Sequence, residues 1–417
     1  MNPPEIDSFY PVRKLRPYLA ELERAWRVGN EPETITRELD DNWQLIRELH
    51  SRVAEQADTS DELCQLCCEL VVAAPTLLQT RLTRREMIDW TELGLRAAEK
   101  RSDLRVIGTL LTLRGIAERD SQSLPAACRS FERALECYNE LQDQKEATGC
   151  LANLSLVIAM RGDPQTAQDR LEVARKFFEE NDDQRGLMVC VGCLSIVEQR
   201  MRRYSAAREI ADVYLELAQD IESRPDEILA LGQLGTCCRR LGSEAIDDNL
   251  SELATENLDL AIAYYRRQKE LAQECGELSA QQRAIGNMGN TYAVLNRLDE
   301  AVVCHRESLH LSTICGNPRA CALDQMNLGK VLVDQGKDAE AEELFQQALS
   351  YSRTSEEPAF EAAILWNLSL IAERRNDINE AIKLGRTCLA IREAIHDPYL
   401  DETREAIADL QIKRSKP

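Results

Sequence analysis

Three cysteine groups are the first residues in this chain whose types and spacing could do chemistry. Cys64, Cys67 and Cys68 form a CxxCC run, Cys190 and Cys193 a CxxC pair, and Cys237 and Cys238 a doublet. Thiolates so spaced bind zinc when tight, glycine-containing knuckles make them converge. Here all three groups fall inside stretches of helical periodicity, at places that take small apolar residues, so buried free thiols are expected and no metal. The four histidines, His50, His305, His310 and His396, form no ligand or base set, and the five-residue step from His305 to His310 is poor for one helical face. No GxSxG, HExxH or glycine-rich phosphate loop occurs. Acid pairs such as Glu342 and Glu343 belong to solvated helix faces. Catalysis and a cofactor are not expected.

What positions these residues is a repeat. Gly115, Ser155, Ser195, Gly235, Gly289, Gly329 and Ser369 follow one another at 40 residues, except for a step of 54 between Gly235 and Gly289. Ala127, Ala167, Ala207, Ala301, Ala341 and Ala381 stand twelve residues after their small partner, and Ala261 holds that place after an insertion of 14 residues. A period this strict marks a stack of identical supersecondary units. Within Cys321–Ser350 the unit reads helix, tight turn, helix: Leu328 and Gly329 lie mid-helix, Gly336 closes that helix, and Ala341, Phe345 and Ala348 line one face of the next. Gly162, Gly242, Asn296 and Asn376 hold the turn position of Gly336, and glycine and asparagine tolerate the left-handed conformation that ends a helix.

A weaker first copy, with Pro75, Met87 and Trp90 in frame, gives about eight repeats over 68–401. Residues 1–67 read as an N-terminal helical cap. Its first ten residues are expected to be extended by Pro3, Pro4 and Pro11, and amphipathic stretches follow at Val12–Arg27 and Thr34–Gln56, the second with Trp43, Ile46 and Leu49 at helical spacing. Pro398–Ile412 reads as a closing amphipathic helix, with 402–417 as its end and tail. The insertion, Ser243–Asn257, carries Glu244, Asp247, Asp248, Glu252 and Glu256. It reads as a helix extension or surface loop, or as an acidic flap or second contact surface.

These residues resemble the tetratricopeptide-repeat signature over about 330 of the 417 residues. The 40-residue unit and the wording Asn287, Gly289, Asn290, Tyr292 are similar to two groups: the eight-repeat spindle-orienting adaptors and the C-terminal sensor arrays of bacterial signal-transduction ATPase (STAND) regulators. Asn42–Ser102 is closer to the second, yet no GxxxxGK[ST] phosphate loop accompanies it. The resemblance implies an all-α, right-handed superhelix that binds a protein or peptide along its concave face. Carried over residue by residue, the inner positions are Asn153, Asn287, Asn327 and Asn367, then Asn290 and Lys330 one residue past the small position. Arg119, Arg200, Arg239, Arg240 and Arg374 lie deeper on the same helices, and Arg283 one turn earlier. Asparagine offers donors and an acceptor to a peptide backbone, and arginine grips a carboxylate in bidentate fashion. The alternative is that the amides bond between neighbouring helices and the guanidinia are solvated.

Composition narrows the partners. A hydrophobic fraction of 44% supports burial, and a formal net charge of −21 opposes binding to nucleic acid or anionic membranes. With no long apolar run and 15 cysteines, a cytoplasmic, reducing setting is expected. The reading is a non-catalytic adaptor or sensor array. The alternatives are a regulatory subunit controlling a separate ATPase, protease or nuclease, or an array that binds a small ligand.

Overall fold

The structure, a computed structural model, describes residues 10–27, 32–355, 357–395, 397 and 399–415. Among the described residues there are twenty α-helices and no strand. They form two compact units, Met1–Glu277 and Leu278–Pro417. The first holds α1 (Tyr10–Arg27), α2 (Pro32–Gln56), α3 (Asp61–Ala73), α4 (Pro75–Arg81), α5 (Arg84–Arg101), α6 (Leu104–Asp120), α7 (Leu124–Glu140), α8 (Gln144–Met160), α9 (Pro164–Glu180), α10 (Gln184–Arg200), α11 (Tyr204–Asp220), α12 (Arg224–Asp247) and α13 (Ser251–Glu274). The second holds α14 (Leu278–Val294), α15 (Leu298–Ile314), α16 (Pro318–Asp334), α17 (Asp338–Thr354), α18 (Pro358–Arg374), α19 (Ile378–Ala394) and α20 (Leu400–Ser415).

The small residues of the repeat mark where paired helices touch. A Cβ on Gly115 would lie 2.8 Å from the Phe131 ring, one on Gly235 2.6 Å from Tyr265, and one on Gly329 2.7 Å from Phe345. Where serine replaces glycine its hydroxyl finds a backbone carbonyl. Ser195 Oγ donates to Ala207 O at 3.0 Å and Ser369 Oγ to Ala381 O at 2.9 Å, each bridging to the alanine twelve residues on. Ala127, Ala167, Ala207, Ala261, Ala301, Ala341 and Ala381 are all 0% exposed, so every one of these contacts is closed to water.

The helices α6 to α11 and α14 to α19 each run 17 residues. Many starts are set by a side-chain cap: Asp103, Asp143, Asp163, Asp183, Asn317 and Asp377 each accept the amide three residues on. Their ends are set by a left-handed residue. In the first unit Ser102, Gln122, Gln142, Gly162, Asp182, Arg202 and Glu222 recur every 20 residues with positive φ, and in the second Asn296, Gly316 and Gly336 stand 20 apart and Asn376 follows 40 after Gly336. The sequence showed this position only where glycine or asparagine held it. The other side chains accept the strained conformation, at about 1 kcal/mol each, because the packed helices on both sides fix the turn.

Gly242 corrects the expected turn. It lies inside α12, where a Cβ would come within 2.7 Å of Leu258, and the left-handed residue is Asn249. Helices α12 and α13 are each 24 residues long, seven more than their counterparts, which accounts for the 14 inserted residues. The insertion therefore lengthens one hairpin by about two turns per helix.

At the N-terminus, Leu15, Leu19, Leu22 and Trp26 of α1 and Leu39, Ile46, Leu49 and Val53 of α2 share a core with Cys67, Leu70 and Val71 of α3. Residues 1–9, with Pro3 and Pro4, lie outside the described residues, whereas Pro11 falls in the first turn of α1 and is not extended. A first-turn proline loses no helical hydrogen bond. The chain breaks at Ala74, where Pro75 opens α4, and the buried Glu23 carboxylate accepts the freed amides of Thr76 and Leu77 at 3.3 and 2.9 Å. At the other end Arg392, buried between Trp366 and Tyr399, donates to Tyr399 O at 3.1 Å and to Thr403 Oγ1, tying α20 to α19. His396 and Pro398 lie outside the described residues.

His305 fills the ring slot against Gly289, 2.8 Å from where a Cβ would stand, and is fully buried with both ring nitrogens unpartnered. Burial, helped by the Lys330 ammonium, pulls its pKa down to about 4.

Two predictions follow from this packing. Gly149→Ala, where nothing lies within 4 Å, gains stability by about 0.5–1 kcal/mol, whereas Gly329→Ala loses about 1 kcal/mol or more. Thermal melts that rank the pair the other way contradict the slot. For His305 the unfolded ring takes up a proton near its ordinary 6.5 and the folded ring only near 4. Stability is therefore intact above the unfolded value and falls by about 3 kcal/mol as pH drops across that window. His305→Phe melts higher at neutral pH and loses this part of the acid sensitivity, while the like contribution of His50 remains. An unchanged acid limb contradicts the assignment.

Candidate functional site

In the second unit the first helices α14 and α16 present a stripe of mostly polar residues. On α14 Arg283, Asn287, Asn290 and Val294 stand at 4-3-4 spacing, and on α16 Leu323, Asn327, Lys330 and Asp334 do the same. Asn287, Asn290 and Asn327 are half-buried, while Arg283, Val294, Leu323, Lys330 and Asp334 are exposed. Among the described residues the amides of Asn287, Asn290 and Asn327 and the Lys330 ammonium have no hydrogen-bond or ion-pair partner. A helical amide can back-bond to the preceding turn, as Asn367 on α18 does, donating to Ala363 O at 2.7 Å. The α14 and α16 amides thus keep their full donor and acceptor capacity within reach of solvent. Arg374 is engaged, donating to Val333 O and pairing with Asp338 at 3.3 Å.

The first unit uses the same position differently. Asn153 on α8 accepts from Arg119 of α6 at 3.2 Å and donates to Gly149 O at 3.2 Å. Here the amide and the guanidinium bond between neighbouring first helices. At the equivalent position of α10 stands Cys193, and on α12 Gln233, which donates to Gly192 O at 3.3 Å. Arg239 lies half-buried beside the Tyr265 hydroxyl, its Nε buried without a hydrogen-bond partner. Arg200 and Arg240 are exposed.

Two buried polar groups were not marked by the repeat. Asp324, 2% exposed on α16, accepts from Ser308 Oγ of α15 at 2.8 Å and from Gln282 Nε2 of α14 at 2.9 Å, locking three helices in register. Burial raises its pKa against the pull of these bonds. The signal was an acid inside an apolar helix. His50 lies flat on Trp90, centroids 3.6 Å apart, and burial lowers its pKa to about 4.

The cysteines are packing residues. Cys64 Sγ donates to Ala97 O at 3.1 Å, Cys150 Sγ to Phe131 O at 3.3 Å and Cys388 Sγ to Ala362 O at 3.2 Å. Burial pushes Cys67 and Cys193 up to about 11 and Cys68 and Cys237 up to about 12, so they are neutral thiols near pH 7. No group of three or more metal-ligating side chains converges among the described residues. No described helix is long and apolar enough to cross a membrane.

Residues 318–394, from α16 to α19, match the tetratricopeptide repeat family, and no curated protein matches the sequence. Solved structures similar in fold include a Rap protein complexed with Competence and Sporulation Factor, at 12% identity over 97% of this chain and 98% of that one, with a TM-score of 0.57. A STAND protein with a tetratricopeptide repeat sensor from Pyrococcus horikoshii is 14% identical over 87% of this chain and 55% of that one, with a TM-score of 0.56. The human IFIT1 dimer with m7Gppp-AAAA is 11% identical over 97% and 95%, with a TM-score of 0.59. At these identities the likeness is one of fold: the chain has an α-solenoid fold of the tetratricopeptide type.

The thiol environments set a simple expectation. Cys137, Cys315 and Cys321 are half-buried and the other twelve cysteines are buried. Titration of the native protein with a thiol reagent labels about three groups quickly and the rest only on unfolding. Rapid labelling of Cys64, Cys67 or Cys68 contradicts their placement.

Proposed function

We propose that this tetratricopeptide-repeat protein is a non-catalytic binding array that holds an extended protein or peptide segment on the first helices of its second unit. The observation that carries this reading is the set of unpartnered amides on α14 and α16, Asn287, Asn290 and Asn327, beside Arg283 and Lys330. Amides at a fixed repeat grip a peptide backbone without demanding one sequence, and the helices that carry them are already formed, so little ordering is needed on the receptor side. Asn367, bonded to its own helix, continues the stripe on α18. Asn153 and Arg239 belong to the first unit and are assigned a structural part.

Charge chooses among ligand classes. A chain of net charge −21 repels a phosphate backbone, while the local cation Lys330 suits an acidic side chain or a terminal carboxylate. The Rap protein is complexed with Competence and Sporulation Factor and IFIT1 with m7Gppp-AAAA, so the test must separate a peptide from a nucleic acid.

The test is affinity purification of the tagged protein from its own cells, with mass spectrometry of bound protein and assay of bound nucleic acid. It is run beside Asn287→Ala with Asn327→Ala. Removing both side-chain amides weakens the partner at least about tenfold and leaves helix content unchanged. A protein partner held equally by both forms contradicts the site, and a captured nucleic acid contradicts the ligand class.

A further inference from the structure

The lengthened hairpin of α12 and α13 differs in charge from the rest of the chain. Residues 241–260 hold six carboxylates, Glu244, Asp247, Asp248, Glu252, Glu256 and Asp259, and no lysine, arginine or histidine. None of the six has an ion-pair or hydrogen-bond partner among the described residues. Closer to the base of the same helices the acids are paired: Glu227 with Arg224 at 2.7 Å, Glu270 with Arg267 at 3.5 Å.

The tip also exposes apolar side chains that its own fold does not use. Gly242, Ala245, Ala254 and Leu258 are buried and close the hairpin from within. Outside them Leu250, Leu253 and Leu260 are 50%, 47% and 38% exposed, and Ile246 is 45% exposed. Leu253 and Leu260 stand two turns apart on one edge of α13, Leu250 lies just before its first residue, and Glu252, Glu256 and Asp259 stand beside that edge. A solvated extension needs no leucines, and a stabilising one would bury them.

We propose that this tip is a docking surface for a basic amphipathic segment of a partner protein, one presenting leucine-sized side chains at helical spacing between lysines or arginines. The apolar edge supplies area, and six uncompensated carboxylates attract and orient the cations. The same charge disfavours a second copy of this chain, whose tip and net charge of −21 repel it, and an anionic membrane. The surface is independent of the amides on α14 and α16.

The test uses the full chain and a fluorescent helical probe of leucine and lysine at 3-4 spacing, with a leucine and glutamate probe as control, read by anisotropy at two salt concentrations. Three variants accompany it: Leu253→Ser with Leu260→Ser; Asp247→Asn, Asp248→Asn and Glu252→Gln together; and deletion of 243–256. The deletion restores 17-residue helices and returns Gly242 to the left-handed turn position, so it folds even if the substituted tips do not. The basic probe binds the parent chain, loses affinity at higher salt, and binds each variant at least tenfold more weakly. Equal binding by the deletion variant shows that charge elsewhere holds the probe and overturns the proposal. Equal binding of the glutamate probe, or a dimer of the parent chain that the leucine substitutions dissolve, also overturns it.

Discussion

Everything in this protein rests on the closeness of the two helices in each pair. At Gly115, Gly235, Gly289 and Gly329 there is no room for a Cβ beside the ring of the partner helix, and the alanine on that partner is wholly buried. The restriction falls on the small residue. The slot opposite it takes Phe131, Tyr265, His305 or Phe345, so the ring varies while the backbone distance does not. With that distance fixed and helices of 17 residues joined by three-residue turns, positions 40 apart occupy the same place in successive units. A stripe chosen once is therefore repeated, which is how Asn287, Asn327 and Asn367 come to stand at one position on three helices.

Repetition of position does not bring repetition of role. Asn153 has Arg119 across from it and bonds to it, while the Asn327 amide has no partner among the described residues and stays within reach of solvent. The inserted turns of α12 and α13 use a second liberty of a solenoid: a hairpin lengthens without disturbing the pairs, because each unit needs only its neighbours. The buried Asp324 shows a third. Its bonds to Ser308 and Gln282 specify how α14, α15 and α16 meet, and apolar side chains alone would leave that register free to slip.

Much of this was legible in the sequence, for physical reasons. The small residues and alanines are period-locked because they report backbone distance, and any larger side chain would be excluded. What escaped was set by partners distant in sequence or by backbone geometry. Gly242 looks like a turn glycine in frame, but the extra residues that follow it continue the helix through it. The left-handed turns at Gln122, Arg202 and Glu222 carry no glycine to announce them. The break at Ala74 depends on Glu23, some fifty residues earlier. Whether an asparagine on an inner stripe is free depends on the neighbouring helix, which one repeat's wording does not contain.

The side-chain amides of α14 and α16 are the groups we propose a partner engages. The most direct measurement is the side-chain amide NMR spectrum of the asparagine-labelled protein, recorded with and without the partner segment recovered from cells. On partner binding the signals of Asn287, Asn290 and Asn327 are expected to shift and become protected from exchange, while that of Asn153, already bonded to Arg119, stays in place. Shifts at Asn153 with silence at the other three would contradict the proposal.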